Sequence, residues 1–280
     1  GFAVILLIMA NSAGAGEPTR RFLQTSDGVK LSFLEAGQNS AGRQKLKIVL
    51  VPGWSMPATI WGHQIRAFSQ RHHTLAFDPR GEGESEVPAG GYNAERRATD
   101  IKEFLSPLSN VLLVGWSLGA IESLQYIRMF GARRLAGLVL VDSSVGEEPA
   151  PKGGGHFHQR LRADRDRALD EFVRAIFATS RGDEDRAELL SAAKRMALED
   201  SLALLDYPQP RTHWRNIARA FKKPLLYVVT PQFEAQAGNL KKNRPRTQVE
   251  VFKKAGHALF VDEPERFNML VEDFAGKITF

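Results

Sequence analysis

Short runs of apolar, often β-branched residues recur along the chain, and between most of them lie stretches whose apolar positions return every three or four residues. The first pattern predicts strands at residues 21–25 and 29–35, joined by a turn at Ser26-Asp27-Gly28, and further strands at 47–51, 73–77, 111–116, 135–141, 224–229 and 248–252. The second predicts helices near 61–69, over 94–107, after residue 117 (Ile121, Leu124, Ile127) and over 265–275. Residues 37–45 read as a loop. Short apolar strands alternating with amphipathic helices indicate an α/β fold, a mostly parallel central sheet with helices on both faces. Ligands in such sheets bind beyond the carboxyl ends of the strands, and Pro52, Asp78, Ser117 and Asp142 all stand at predicted strand ends.

About 80 residues separate Asp142 from Pro224, far more than a connection between neighbouring strands needs. They open with Gly- and Pro-rich residues 146–155 and continue through helix-like runs at 159–179, 183–205 and 212–221. This predicts a helical cap, residues 146–221, inserted into a core made of residues 17–145 and 222–280. Such a cap excludes water and shapes a substrate pocket.

Composition narrows the picture only modestly. The 280 residues suit one domain with an insertion, and the formal net charge of +6 comes from lysines and arginines scattered among acids. That scatter argues against nucleic acid as a partner. The absence of cysteine excludes disulfides, thiolate metal sites and thiol catalysis. Residues 2–10 (Phe-Ala-Val-Ile-Leu-Leu-Ile-Met-Ala) are continuously apolar but too short to span a bilayer. Ala13-Gly14-Ala15 follows with the small-x-small pattern of a cleavage site, so residues 1–16 read as a remnant of an export signal, giving a periplasmic or secreted protein. The alternative is an apolar arm packed on the domain, which leaves a cytoplasmic location open.

The chemistry concentrates at Gly115-Trp116-Ser117-Leu118-Gly119. A Gly-x-Ser-x-Gly segment between an apolar strand and a helix is the pattern of a nucleophile elbow, a strained turn that lifts the serine hydroxyl above the sheet. A nucleophilic serine needs a base, and the base an orienting acid. Of the seven histidines, His257 lies after a predicted strand and a turn at Gly256, in the chain order serine, acid, histidine. His63, His72 and His73 sit in or beside a helix and read as packing or surface residues. His156 and His158 lack a third ligand, so no metal site is expected. For the acid, Asp142 ends the strand after the nucleophile's helix, whereas Glu234 is the carboxylate in the loop after the 224–229 strand; both remain candidates. Asp262 follows His257 too closely to orient it. An oxyanion hole needs two backbone N–H groups, for which Leu118 and Trp54 are the natural donors. Trp54, Trp116, Met56 and Phe260 are expected to line an apolar acyl or alcohol pocket.

Pro52-Gly53-Trp54, Phe77-Asp78-Pro79-Arg80-Gly81-Glu82-Gly83-Glu84-Ser85, the serine pentapeptide and Gly256-His257 together resemble the α/β-hydrolase fold superfamily, closest to its cofactor-free haloperoxidase, arylesterase and perhydrolase branch. The resemblance implies a cofactor-free serine hydrolase acting on a small ester, lactone or thioester, with peracid formation or C–C bond hydrolysis as alternative uses of the same residues, and a non-catalytic ligand-binding member of the fold as the reading from another class. It makes Asp78 and Arg80 braces of a loop. Three departures stand out. Pro52 replaces the usual histidine of the oxyanion loop. The loop after the 224–229 strand lacks the usual aspartate, and some members carry the acid after the preceding strand, where Asp142 falls. Ser117 in place of an aspartate argues against dehalogenase or epoxide hydrolase chemistry.

Overall fold

A computed structural model of the chain describes residues 17–38, 46–151 and 156–279. The apolar run at 2–10 and the Ala13-Gly14-Ala15 step lie outside the described residues. Eight strands, β1 (Thr19–Gln24), β2 (Lys30–Ala36), β3 (Lys47–Val51), β4 (His73–Phe77), β5 (Val111–Trp116), β6 (Leu135–Val141), β7 (Leu225–Val229) and β8 (Gln248–Val251), form one sheet in the order β1-β2-β4-β3-β5-β6-β7-β8. β1 and β2 form an antiparallel hairpin, β2 runs antiparallel to β4, and every other neighbouring pair is parallel.

Side chains alternate across the central strands, so each apolar run feeds two cores. Ile48 and Leu50 of β3, Leu112 and Val114 of β5 and Leu226 and Val228 of β7 join one apolar layer, while Val49, Val51, Leu113, Leu225 and Val229 join the other. The first layer is covered by α1 (Gly62–Phe68), α10 (Leu259–Asp262) and α11 (Pro264–Gly276), through residues such as Ile65, Phe260, Phe267 and Val271. The second is covered by α2 (Ala94–Phe104), α3 (Leu118–Phe130) and α9 (Glu234–Asn243), through Ile101, Leu124 and Leu240 among others.

Between β6 and β7 stand α4 (Phe157–Ala163), α5 (Arg165–Ala175), α6 (Asp183–Ala193), α7 (Leu198–Ala203) and α8 (Arg211–Ala220). Leu161, Leu169, Val173, Leu189 and Leu202 bury into the first apolar layer. α8 behaves differently: Trp214, Ile217 and Ala218 join the second layer and the helix packs against α3. None of the helices among the described residues is long and apolar enough to cross a membrane.

The helix-like run at 183–205 divides into α6 and α7 with residues 194–197 non-helical between them, and two further local features depart from the sequence pattern. The helical run at 159–179 is broken, because Asp164 leaves the helical region (φ −156°) and its carboxylate accepts the Arg167 N–H at 3.1 Å, capping α5. The other is α9, whose apolar face (Ala237, Leu240) is too sparse to announce a helix although Glu234 occupies its first turn and Lys241 and Lys242 its last. Asp164→Ala leaves an orphaned helix N–H, so its expected cost is about 1 kcal/mol of unfolding free energy with an unchanged denaturant slope in a urea titration.

Candidate active site

β5 ends at Trp116 and α3 begins at Leu118, so a single residue, Ser117, turns the chain. Its backbone sits at φ 54°, ψ −120°, a sparsely populated conformation for a residue with a side chain. The two flanking glycines make the turn sterically feasible. A Cβ on Gly115 would lie 2.5 Å from Gly119 O, and one on Gly119 would lie 2.5 Å from Pro52 O and 2.6 Å from Val51 O. These are backbone atoms of strands and helix that cannot step aside, so only hydrogen fits. The turn is held by Ser117 N–H donating to Val141 O at 2.9 Å and Ala120 N–H to Ser117 O at 3.0 Å.

His257 reaches the serine from the loop after β8. Its Nε2 lies 2.9 Å from Ser117 Oγ and its Nδ1 2.7 Å from Asp142 Oδ2. Asp142 is fully buried, and its other oxygen accepts the Thr230 N–H at 2.6 Å and the Thr230 hydroxyl at 2.8 Å. Thus the loop after β7, which carries no aspartate, supplies a threonine that satisfies an aspartate placed one strand earlier. The sequence held no signal for this role, since it depends on β6 and β7 being neighbours. Glu234, the alternative acid, is exposed in the first turn of α9 and makes no bond to His257. The His257 loop is fixed on two further sides. Trp116 Nε1–H donates to His257 O at 2.9 Å, and Ala258 N–H donates to Ile176 O at 2.7 Å. Asp262 accepts the Gly256 and Ala178 N–H groups, each at 2.8 Å. Burial works against its charge, but these bonds and those of Thr179 hold its carboxyl below the usual range.

The Pro52-Gly53-Trp54 loop passes directly over the elbow, where a Cβ on Gly53 would lie 3.1 Å from Ser117 Cβ. Neither the Trp54 N–H nor the Leu118 N–H donates to an acceptor among the described residues. A cavity of about 380 Å³ opens on Ser117 and His257, walled by Leu118, Ile121, Tyr207, Trp214 and Phe233. The pocket expected from Trp54, Trp116, Met56 and Phe260 is not formed: all four are buried as packing elements. Trp54 packs edge-on against Phe157 and Phe172 and donates its Nε1–H to Ser201 O at 2.6 Å, and Trp116 packs edge-on against Phe260. An aromatic beside a motif is as suited to the core as to a pocket wall, and here bulk decided for the core.

Four other histidines have partners elsewhere. His72 meets Glu272 at 3.0 Å, His73 meets Glu35 at 2.7 Å, His156 meets Gln159 at 3.1 Å and His213 meets Gln125 at 2.9 Å. Asp78 accepts the Ala58 N–H at 2.6 Å and an Arg20 N–H at 2.8 Å, and Arg80 donates twice to Asp100 at 2.6 and 2.7 Å. Both therefore brace loops.

The sequence profile described as the alpha/beta hydrolase family matches residues 48–270, which include the elbow, Asp142 and His257. The chain belongs to this family. A pimeloyl-(acyl-carrier protein) methyl ester esterase of Aeromonas hydrophila is 27% identical to the hydrolase over 246 residues, 82% of this chain and 95% of the relative. A non-heme chloroperoxidase of Kitasatospora aureofaciens is 31% identical over 122 residues, 42% of either chain. Among solved structures, an esterase from Exiguobacterium antarcticum superposes with a TM-score of 0.78 at 22% identity, covering 91% of this chain and 99% of its own. A bromoperoxidase from Bacillus anthracis gives 0.77 at 21%, covering 92% and 100%.

Beneath the Trp54 loop the hydrolase buries a charged cluster. Arg97 of α2, Glu82 from the loop after β4 and Glu122 of α3 are each about 1% exposed. Arg97 donates to Glu82 at 3.2 Å and faces Glu122 at 2.8 Å. Two carboxylates share one guanidinium, since nearby Arg80 and Arg96 are engaged by Asp100. Burial pushes Glu82 up to about 7 and Glu122 up to about 8 against the pull of Arg97. Glu122 ionises near its ordinary 4.5 when unfolded, so between that pH and about 8 the folded chain holds more protons and stability falls as pH rises. Glu122→Gln leaves Arg97 a single carboxylate and removes this loss. Denaturant titrations at pH 5 and pH 9 should show the variant gaining on the wild type at the higher pH.

Proposed function

We propose that this hydrolase cleaves a small carboxylic ester, lactone or thioester through an acyl-enzyme on Ser117. The observation that carries the reading is the unbroken chain from Ser117 Oγ through both ring nitrogens of His257 to buried Asp142. With Nδ1–H donating to the carboxylate, Nε2 is free to accept the serine proton. Ser117 Oγ attacks the substrate carbonyl as His257 takes that proton, and the imidazolium forms beside the Asp142 charge. The tetrahedral oxyanion binds the unengaged N–H groups of Trp54 and Leu118, the latter at the positive end of α3. Collapse expels the alcohol or thiol, which takes its proton from His257. Water, deprotonated by the same imidazole, then attacks the acyl group and releases the acid.

The 380 Å³ cavity suits a small substrate, at the lower end of the range of small-molecule pockets. In this reading the α4–α8 segment acts as a lid, since Tyr207, Trp214 and Arg211 border the cavity. The haloperoxidase relatives favour a second use of the same intermediate: hydrogen peroxide in place of water would release a peracid.

Ser117→Ala should abolish p-nitrophenyl ester turnover and the single fluorophosphonate adduct seen by intact mass; retained turnover removes the serine assignment. Asp142→Asn should lower kcat by about 10⁴, through loss of both the charge and the productive tautomer. Glu234→Gln should match the wild type in the same assay, and the reverse outcome would transfer the acid role. Thr230→Val keeps the N–H that Asp142 accepts and removes the hydroxyl, so kcat should fall roughly tenfold with the fold intact by circular dichroism.

A further inference from the structure

The oxyanion donors belong to different elements, Trp54 to the loop after β3 and Leu118 to the first turn of α3. Backbone amides stabilise a developing oxyanion only when held at the right separation before the reaction begins. Something must hold the loop at the right distance from the helix. The residue after Trp54 shows what does so. Ser55 is a non-glycine in the left-handed region, φ 58°, and its N–H donates to Glu82 Oε1 at 2.9 Å. The Glu82 carboxylate thus grips the Trp54-Ser55 peptide without itself lining the cavity. Its second oxygen accepts from Arg97, whose Nη1–H also donates to Arg80 O at 3.0 Å. The far side of the same guanidinium faces Glu122, one turn into the helix that starts with Leu118.

Resting on the ester-hydrolase reading above, we propose that Glu82 is a positioning residue for the oxyanion hole: clamped by Arg97, it sets the Trp54 amide against the Leu118 amide. One buried guanidinium then ties the loop that carries one donor to the helix that carries the other. An acceptor held by a buried guanidinium suits this task. Glu82 bonds on both oxygens, to Ser55 N–H and to Arg97, and so has few alternative geometries. The strained Ser55 backbone would relax if the grip were lost, and the Trp54 N–H would turn with it.

The test separates positioning from general stability. kcat, KM and the inhibition constant of a short-chain alkyl trifluoromethyl ketone, which adds Ser117 Oγ to form a stable oxyanion, are measured for the wild type, Glu82→Met and Glu82→Gln. Glu82→Met removes the acceptor, so kcat should fall 10- to 100-fold with KM within about threefold, and ketone affinity should fall by the same factor. Glu82→Gln retains an oxygen for the Ser55 N–H and should return to within about fivefold of the wild type. If Glu82→Met does not fold, Arg97→Lys takes its place, because an ammonium cannot reach both carboxylates in fork geometry; a parallel fall in kcat and ketone affinity is expected. A variant with wild-type kcat, a kcat loss without loss of ketone affinity, or equal damage from Met and Gln overturns the proposal. Ser117→Ala, run alongside, isolates the underlying reading: if it retains turnover that reading fails, whereas its inactivity beside unaffected Glu82 and Arg97 variants refutes only the clamp.

Discussion

One residue, Ser117, must turn the chain from strand to helix while its backbone stays in a conformation that costs roughly 1–3 kcal/mol. The surrounding structure is arranged around that constraint. Gly115 and Gly119 let β5, α3 and the end of β3 approach to distances that admit no side chain. The central parallel strands supply the rigidity, because each is hydrogen-bonded on both sides and buried on both faces. A turn this tight could not persist on an edge strand, where one side would be free to relax. With the hydroxyl fixed, every other functional group has only to be brought to it, and loops from β3, β6 and β8 do so.

The acid shows how such a frame tolerates relocation. β6 and β7 are adjacent and parallel, so the loops that follow them end side by side. A carboxylate can leave either loop and meet the same imidazole nitrogen. In this chain it leaves the first, at Asp142, and the second contributes Thr230 as a double donor to its outer oxygen. The arrangement keeps the buried charge satisfied on both oxygens, as a carboxylate at about 1% exposure requires.

Much of this was legible in the sequence because it is written in short-range patterns. The bounds of β3, β4 and β6 follow from apolar runs ended by Pro or Asp, and Ser117 and His257 follow from turns of glycine around a reactive side chain. Asp142 was visible as one of two options, and what distinguishes it from the exposed Glu234 is its 2.7 Å contact with His257 Nδ1. What stayed hidden depends on long-range contact. Thr230 looks like any loop threonine until β7 is laid beside β6. Asp164 reads as one more polar residue in a helical run until its φ is known, and α9 has too narrow an apolar face to stand out. Trp54, Trp116, Met56 and Phe260 sit beside the right motifs, yet nothing local tells an aromatic that faces a ligand from one that faces the core.

Trp54 joins two parts of the molecule that are usually considered apart. Its backbone lies in the loop that passes over Ser117, while its indole packs edge-on against Phe157 and Phe172 and donates to Ser201 O, all contributed by the stretch between β6 and β7. The His257 loop is tied to the same stretch through Ile176 and Ala178. The insertion is therefore not an interchangeable module. A chimera that imported the equivalent helices of a relative would lose the seats for Trp54 and Asp262, and both sides of the Ser117–His257 cluster would have to be re-fitted together with it.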